Sequence, residues 1–533
     1  MLRHVFVISD LHLGGRPDPK QGSAAPGSQI NRSHAALAEF IDWIRKGHDP
    51  AREGELELVI NGDIVDFLAE DDHGAHLWTA DPEMAVRKLE LVFQRSREDG
   101  GRGVFEALAD LLAAGHRLTL LLGNHDVELA LPAVRTRLFA ELGGEDLSRR
   151  LHFIYDGEAY TIGKLLIEHG NRYDRWNMID HSRLRQERSV RSRRLEVDEK
   201  ERVGRFFTAP AGTHLVIHFM NRIKARYRFV DLLKPEDAAV LPLLLALEPD
   251  YMPVLHDILR AAPLAREYRR HKLAGPVMPG IAGDMGMPSR PQQGSLATVL
   301  RETLGAEAAR FAFAMAPQGG MGTAAPVTGD MGLLNRAGHW LQKTVEAMAE
   351  SAGSFSRLVD LMTEVGPERL DQLHSALRHL GRDDGTFRED FEKPEYLDAA
   401  IETTRTGAVD AVVYGHTHLP KVIDLSRLGP EKTGGTPARG HYFNTGTWCD
   451  VMRLPGVILK DEPEAKKELQ AFVEAIREND FTPYLKRYLS FFEALVDPHA
   501  GQVIKAQIHS YCGPGRERSP VLTEYPVPRT ETK

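Results

Sequence analysis

Five short stretches of this 533-residue chain each close an apolar, β-branched run with side chains able to ligate metal. In order they read Ser9-Asp10-Leu11-His12, Asn61-Gly62-Asp63, Gly123-Asn124-His125-Asp126, Glu168-His169-Gly170 and Gly415-His416-Thr417-His418. Together they supply enough carboxylate, amide and imidazole groups to hold two divalent cations side by side. Taken singly, an Asp after a strand is ordinarily a turn or a helix N-cap, and a lone His is a surface or satisfied core residue. The whole set, in this order and this strand context, points instead to a pair of metal ions that ready water for hydrolysis, with phosphate esters as the expected substrates.

The elements that must position these groups are strands. Val5-Phe6-Val7-Ile8 is apolar on both faces, as a strand buried between layers must be. Asp10 and His12 follow it, two apart and so on one side of extended chain. Leu56 to Ile60 leads to Asp63 beyond Gly62, a residue that lets backbone come close to the site. Leu118 to Leu122 leads to Asn124 and His125, Leu165 to Ile167 leads to His169, and Ala411 to Tyr414 leads to His416 and His418. Sites in α/β proteins form outside the carboxyl ends of the strands, and five candidate strands deliver their ligands there.

These residues resemble the pattern of the calcineurin-like metallophosphoesterase superfamily: D-x-H, G-D-x-x-D, G-N-H-D or G-N-H-E, an H beside glycine, and G-H-x-H. The resemblance covers about residues 1–180 and 405–515. It implies an α/β fold, a four-layer α/β/β/α sandwich of two facing sheets flanked by helices, here with a large, mostly helical insertion. Carried over by position, Asp10, His12 and His418 resemble the ligands of a first metal, Asn124, His169 and His416 those of a second, and Asp63 the carboxylate shared by both. His125 resembles the histidine beside the scissile phosphate. Asp66 resembles the carboxylate that orients it, with a helix-start cap as the alternative.

What the resemblance implies chemically is hydroxide attack in line on phosphorus. Two cations about 3.5–4 Å apart clamp a phosphoryl oxygen and acidify a shared water. Asn124 contributes a neutral oxygen, which spares an anionic substrate one repulsion. His125 would protonate the departing alkoxide or stabilise phosphoryl charge. Imidazole and carboxylate donors suit Mn, Fe or Zn better than Ca. The two cysteines, Cys449 and Cys512, lie outside the motifs.

Bulk properties fit a cytoplasmic enzyme. Two cysteines make no disulfide framework. Met1 leads almost directly into the first strand, without a signal peptide's pattern. The longest apolar run, Ala238 to Leu247, contains Pro242 and is too short to span a bilayer. The net charge of −9 argues against a dedicated nucleic-acid binder.

The chain exceeds one compact core. Residues 181–404 read as a helical cap inserted into the core, and the tail beyond 515 as loose. Within the insertion, Arg183 to Arg205 is Arg-dense with interspersed Glu, and residues 275–333 are Gly-, Pro- and Met-rich loops in which Gly-Asp-Met-Gly occurs twice. Leu370, Leu373, Leu377 and Leu380 have helical spacing. His214 and His218 stand i, i+4 but lack an acidic partner, and Leu215 to Leu233 reads as an ordinary packed helix, with an interfacial amphipathic helix as the alternative. Arg172 and Arg175 follow His169 closely enough for their guanidinium groups to grip a phosphate; surface ion pairing is the alternative. After His418, Tyr442 to Trp448 reads as a strand and turn under the site, and Tyr488–Val496 with Gln502–Tyr511 as a final hairpin.

The expected substrate is a small phosphate ester, nucleotide or lipid-linked: a phosphodiester, a phosphomonoester or a pyrophosphate. Glu168-His169-Gly170-Asn171 and the helical insertion are similar to the UDP-2,3-diacylglucosamine pyrophosphatase branch of the superfamily. This chain departs from that branch in carrying His125 where an Arg is usual, and in its longer insertion. Two other readings stand beside hydrolysis of a small ester. One is a nuclease, which a clustered basic groove would favour; the other is a scaffold that keeps only the fold, which missing ligands would favour, and none is missing.

Overall fold

The computed structural model describes residues 2–16, 28–49, 53–70, 78–79, 81–97, 102–144, 149–174, 177–193, 392–429, 438–478 and 482–513, with shorter pieces at 209–243, 370–378, 480 and 519–520. Arg175, His214, His218, Leu380, residues 275–333 and most of Leu215 to Leu233 lie outside the described residues. These residues fall into two compact units. One is drawn from Met1–Thr213, Glu392–Val451 and Lys486–Lys533, the other from His214–Phe391 and Met452–Leu485.

In chain order the strands are β1 (Arg3–Ile8), β2 (Glu55–Asn61), β3 (Arg117–Leu121), β4 (Leu151–Ile154), β5 (Tyr160–Ile162), β6 (Leu165–Ile167), β7 (Leu233–Lys234), β8 (Ala411–Tyr414), β9 (Lys421–Asp424), β10 (His441–Asn444), β11 (Val451–Arg453), β12 (Leu485–Lys486), β13 (Ser490–Asp497), β14 (Gln502–Ser510) and β15 (Ser519–Pro520). The helices used below are α1 (His34–Gly47), α2 (Pro82–Arg95), α3 (Val104–Ala113), α4 (Pro132–Glu141), α5 (His181–Ser192), α6 (Pro394–Thr404) and α7 (Pro463–Glu478).

The first unit is built on two sheets. One has the order β15-β14-β13-β1-β2-β3-β4, the other β5-β6-β8-β10-β9. The run β1-β2-β3-β4 is parallel, with helical crossovers between the first three strands, and β6-β8-β10 is parallel as well. β13 and β14 form the expected antiparallel hairpin.

Side-chain alternation explains the layering. On β1, Val5 and Val7 join Val59, Leu165, Ile167, Ala411, Val413 and Phe492 in the core between the sheets. Phe6 and Ile8 face the other way, into a core with residues of α1, α2, α3 and α4. On β8, Ala411 and Val413 face inward, while Val412 and Tyr414 pack with Tyr396, Leu397, Ala400 and Ile401 of α6. The result is helix, sheet, sheet, helix, as the motifs implied. The central strands β1, β2, β3, β8 and β10 bury both faces, which is why they read as largely apolar runs. Each fully buried Phe or Leu in these layers contributes about 1.5–3 kcal/mol.

The helices at either side of the long insertion belong to this first unit. Leu184 of α5 is buried in its outer core, and α6 covers the second sheet. The first unit therefore extends past residue 180 and resumes before 405. The second unit includes Met452–Leu485, which sequence reading placed in the core. There α7 buries Leu469, Phe472, Val473 and Ile476. Leu373 and Leu377 are helical and buried, and His374 Nε2 donates to the Ile458 carbonyl at 2.9 Å. β11 pairs with β7 through Met452 and Leu233. Among the described residues, no helix is long and apolar enough to cross a membrane.

Candidate metal centre

The five ligand-bearing segments converge at the carboxyl ends of β1, β2 and β3 in one sheet and of β6 and β8 in the other. Parallel pairing is what makes the convergence follow: strands running the same way end on the same edge. Asp10 N–H donates to Gly62 O at 3.2 Å, and His12 N–H to Asp63 O at 2.9 Å, so the first two loops run side by side. The His416 N–H donates to Asp10 Oδ2 at 2.9 Å and brings in the loop from the second sheet.

The backbone at these positions is strained. Six non-glycine residues among those described have positive φ, and five are candidate ligands: Asp10 (52°), His12 (42°), Asp63 (50°), His416 (67°) and His418 (62°). Such conformations cost about 1–3 kcal/mol each and persist where surrounding structure enforces them, typically at functional sites. Glycines make the close packing feasible. A Cβ on Gly62 would lie 2.5 Å from His169 Nδ1, and one on Gly415 would lie 2.5 Å from Ser9 Oγ and 2.6 Å from Asp10 Oδ2.

Three groups of donor atoms result: Asp10, His12 and His418; His12, Asp63 and His125; and Asp63, His169 and His416. His12 Nε2 lies 3.1 Å from His418 Nε2, and His418 Nε2 lies 3.3 Å from Asp10 Oδ1. Donors held 2.0–2.1 Å from one tetrahedral cation stand about 3.3 Å apart. Asp63 Oδ2 faces both sides, 3.2 Å from His169 Nε2 and 3.8 Å from His12 Nε2.

The second group carries a clear tautomer. His169 Nδ1 is 2.8 Å from the Asn61 carbonyl, which only accepts, so Nδ1 carries the proton. Its Nε2 is buried and makes no aligned hydrogen bond. A histidine oriented through one nitrogen with the other presented inward is the usual state of a metal ligand. Asn124 Oδ1 is likewise buried without a hydrogen bond, a costly arrangement unless something else engages it. The donor set fits divalent transition metals.

Electrostatics agree. Burial favours a neutral Asp10, but His418 and His169 hold it well below the ordinary carboxylate range. Burial also opposes ionised Asp63, and His169 and His125 overcome it. Burial works against a charged His169, yet Asp63 and Asp10 raise it to about 10. Asp63 and Asp10 thus draw positive charge onto His169, the same demand that a divalent cation satisfies.

His125 is the most open of the group, its side chain 27 % exposed. Its backbone N–H donates to Asp63 Oδ1 at 2.8 Å, and Asp66 Oδ2 lies 3.5 Å from His125 Nδ1 and 3.7 Å from His12 Nδ1. The other oxygen of Asp66 accepts from the N–H groups of Leu68 and Ala69. Asp66 thus caps a turn and faces His125. Burial disfavours its charge, but His125 and His12 keep it well below the usual range.

Arg172 pairs with Glu168 at 3.5 Å and lines a small cleft with Glu168, His169 and His181. Buried Cys449 places its thiol against the Asp10 and Leu11 carbonyls, and burial raises it far out of the thiolate range.

Several residues given no role in the sequence reading support the site. Asp174 Oδ2 lies 3.1 Å from His416 Nε2. Ser9 Oγ hydrogen-bonds to Asp10 Oδ2, and to Thr445 Oγ1 at 2.6 Å. Asn444 Nδ2 donates to Gly415 O at 2.7 Å and so fixes the last ligand loop. Asp126 accepts from Ile64 N–H and Gly123 N–H, both at 2.7 Å, and ties the second loop to the third; burial and Asp63 raise it to about 7. The turn after β10 carried one signal, the polar run Asn444-Thr445-Gly446-Thr447 at a strand end.

Residues 3–218 match the calcineurin-like phosphoesterase family. No curated protein sequence matches the chain. The matched segment holds the first four candidate ligand stretches, and the fold supplies the fifth from β8. Over that segment the chain matches a calcineurin-like phosphoesterase, and the match indicates a metal-dependent hydrolase of phosphoric esters.

Proposed function

We propose that this chain hydrolyses a phosphodiester, phosphomonoester or pyrophosphate with two divalent cations, one held by Asp10, His12 and His418 and the other by Asn124, His169 and His416. Asp63 is shared. The observation that carries this reading is the position of Asp63 Oδ2 between His12 Nε2 and His169 Nε2. When bound, the cations supply Lewis acidity toward a phosphoryl oxygen and acidify the attacking water.

The chain's own groups do the rest. His125 is the acid for the leaving alkoxide, with Asp66 Oδ2 3.5 Å from its Nδ1. Asn124 binds without adding negative charge. Arg172 is assigned to the anionic part of the substrate, and Arg175 carries the same assignment from its place in sequence. Buried neighbours on every ligand loop keep the donors in place, so little reorganisation is needed as charge develops.

The test is turnover of a chromogenic bis-phosphodiester, a monoester and a panel of nucleotide, sugar-nucleotide and lipid pyrophosphates, with Mn, Fe or Zn supplied. Metal-dependent hydrolysis of at least one, lost in Asp63→Asn, supports the proposal. No metal-dependent turnover would overturn it, and degradation of DNA at comparable enzyme levels would favour a nuclease.

A further inference from the structure

A second group of histidines lies at the opposite end of β1 from Asp10. His4 opens the strand, His48 follows α1, and Glu53 precedes β2. Four residues of rise separate His4 from Ile8, so the group stands well over 10 Å from the catalytic crevice. His4 Nδ1, His48 Nδ1 and a Glu53 oxygen lie within 4.8 Å of one another.

The hydrogen bonds around the group fix which atoms face inward. His48 Nε2 is 2.9 Å from the Gly54 carbonyl, an acceptor only, so Nε2 carries the proton and Nδ1 the lone pair. His4 Nε2 is 2.8 Å from Glu493 Oε1, and an ionised carboxylate assigns that ring the same tautomer. Both Nδ1 atoms are buried and make no aligned hydrogen bond. Both face one atom, Glu53 Oε2, at 3.4 Å from His4 and 3.2 Å from His48. The Asp49 N–H also donates to Glu53 Oε2, at 3.0 Å.

We propose that His4, His48 and Glu53 form a separate divalent transition-metal site, of the kind zinc occupies. Glu53 Oε2 stands from each imidazole nitrogen at the separation of two ligands on one tetrahedral ion. Each imidazole is held through its far nitrogen by a carboxylate or carbonyl, as outer-shell partners hold metal-binding histidines. Two imidazoles and one carboxylate are a donor set that zinc takes with water in the fourth position. Glu53, 33 % exposed, leaves that position open to solvent. The ion would tie the start of β1 to the connection between α1 and β2 and so hold the edge of the sheet remote from catalysis.

The alternative is a pair of histidines sharing protons with Glu53 and no metal. Zinc content after saturation and dialysis separates the two, measured by mass spectrometry on the full chain, on Glu53→Gln and on His48→Gln. Each variant should hold one equivalent fewer than wild type, whatever number the catalytic crevice holds. Their catalytic turnover should stay within twofold of wild type. Far-UV circular dichroism checks folding, and if one variant fails to fold the other gives the same reading. If both failed, the cobalt-loaded chain carrying Asp10→Asn and Asp63→Asn together should still hold one equivalent, with visible bands of histidine–carboxylate coordination. Equal zinc content in wild type and a folded variant, or loss of all cobalt bands in the double variant, would overturn the site.

Discussion

Asp174→Ala removes the carboxylate against His416 Nε2. In the proposed arrangement His416 binds through its other nitrogen, so Asp174 both fixes the ring's rotation and makes Nδ1 a stronger donor. The 3.1 Å separation is that of a direct hydrogen bond, and the Asn177 amide that also donates to Asp174 Oδ2 at 2.8 Å steadies the carboxylate. Loss of such a partner typically weakens metal binding by about 10–100-fold, or about 1.4–2.7 kcal/mol. Only the ion shared by Asn124, His169 and His416 should be affected. Manganese titration by calorimetry should show one crevice binding event weakened by that factor and the other unchanged. Asp174→Asn, which keeps an oxygen acceptor and the same volume, should recover part of the affinity if its amide oxygen faces the ring. Both affinities within twofold of wild type in Asp174→Ala would refute the reasoning.

His125→Ala should lower kcat by roughly 10²–10⁴-fold with metal content unchanged; a drop in metal content would make His125 a ligand instead. Gly415→Ala should cost about 1–3 kcal/mol in urea unfolding and lower metal affinity, because the new Cβ meets Ser9 and Asp10; wild-type values for both would contradict the close packing. Glu128→Gln tests buried charge. Burial raises Glu128 to about 8, against about 4.3 in the unfolded chain. Between those values the fold keeps a proton that the unfolded chain gives up, so stability falls as pH rises, by about 1.4 kcal/mol per unit. The variant should therefore gain on wild type between pH 5 and pH 8 in urea midpoints, and a constant difference across that range would exclude this origin.

The candidate ligand stretches were legible because their constraints are local. A buried strand between two layers must be apolar on both faces, and polar ligands at its end break that run sharply. Val5 to Ile8 followed by Asp10 and His12 shows both features. The hairpin of β13 and β14 and the strand under the site were readable for the same reason, whereas the two facing sheets followed only from the family resemblance. Asp174 was not, because it meets His416 from 242 residues away, and nothing local distinguishes it from any loop Asp. The His4, His48 and Glu53 group was hidden likewise: its members bracket a helix, and only the fold brings their Nδ1 atoms together. Unit boundaries were the least legible. α5 and α6 have helical sequences like those of the insertion, and their allegiance to the core is decided by Leu184, Tyr396 and Ile401 finding long-range partners.

The central claim is that two cations share Asp63. Electron paramagnetic resonance of the manganese-loaded chain tests it most directly. Ions about 3.5–4 Å apart should give an exchange-coupled multiline spectrum that collapses to isolated-ion signals in Asp63→Asn. Isolated-ion signals alone in the saturated wild-type chain, or a coupled spectrum that survives Asp63→Asn, would contradict the account.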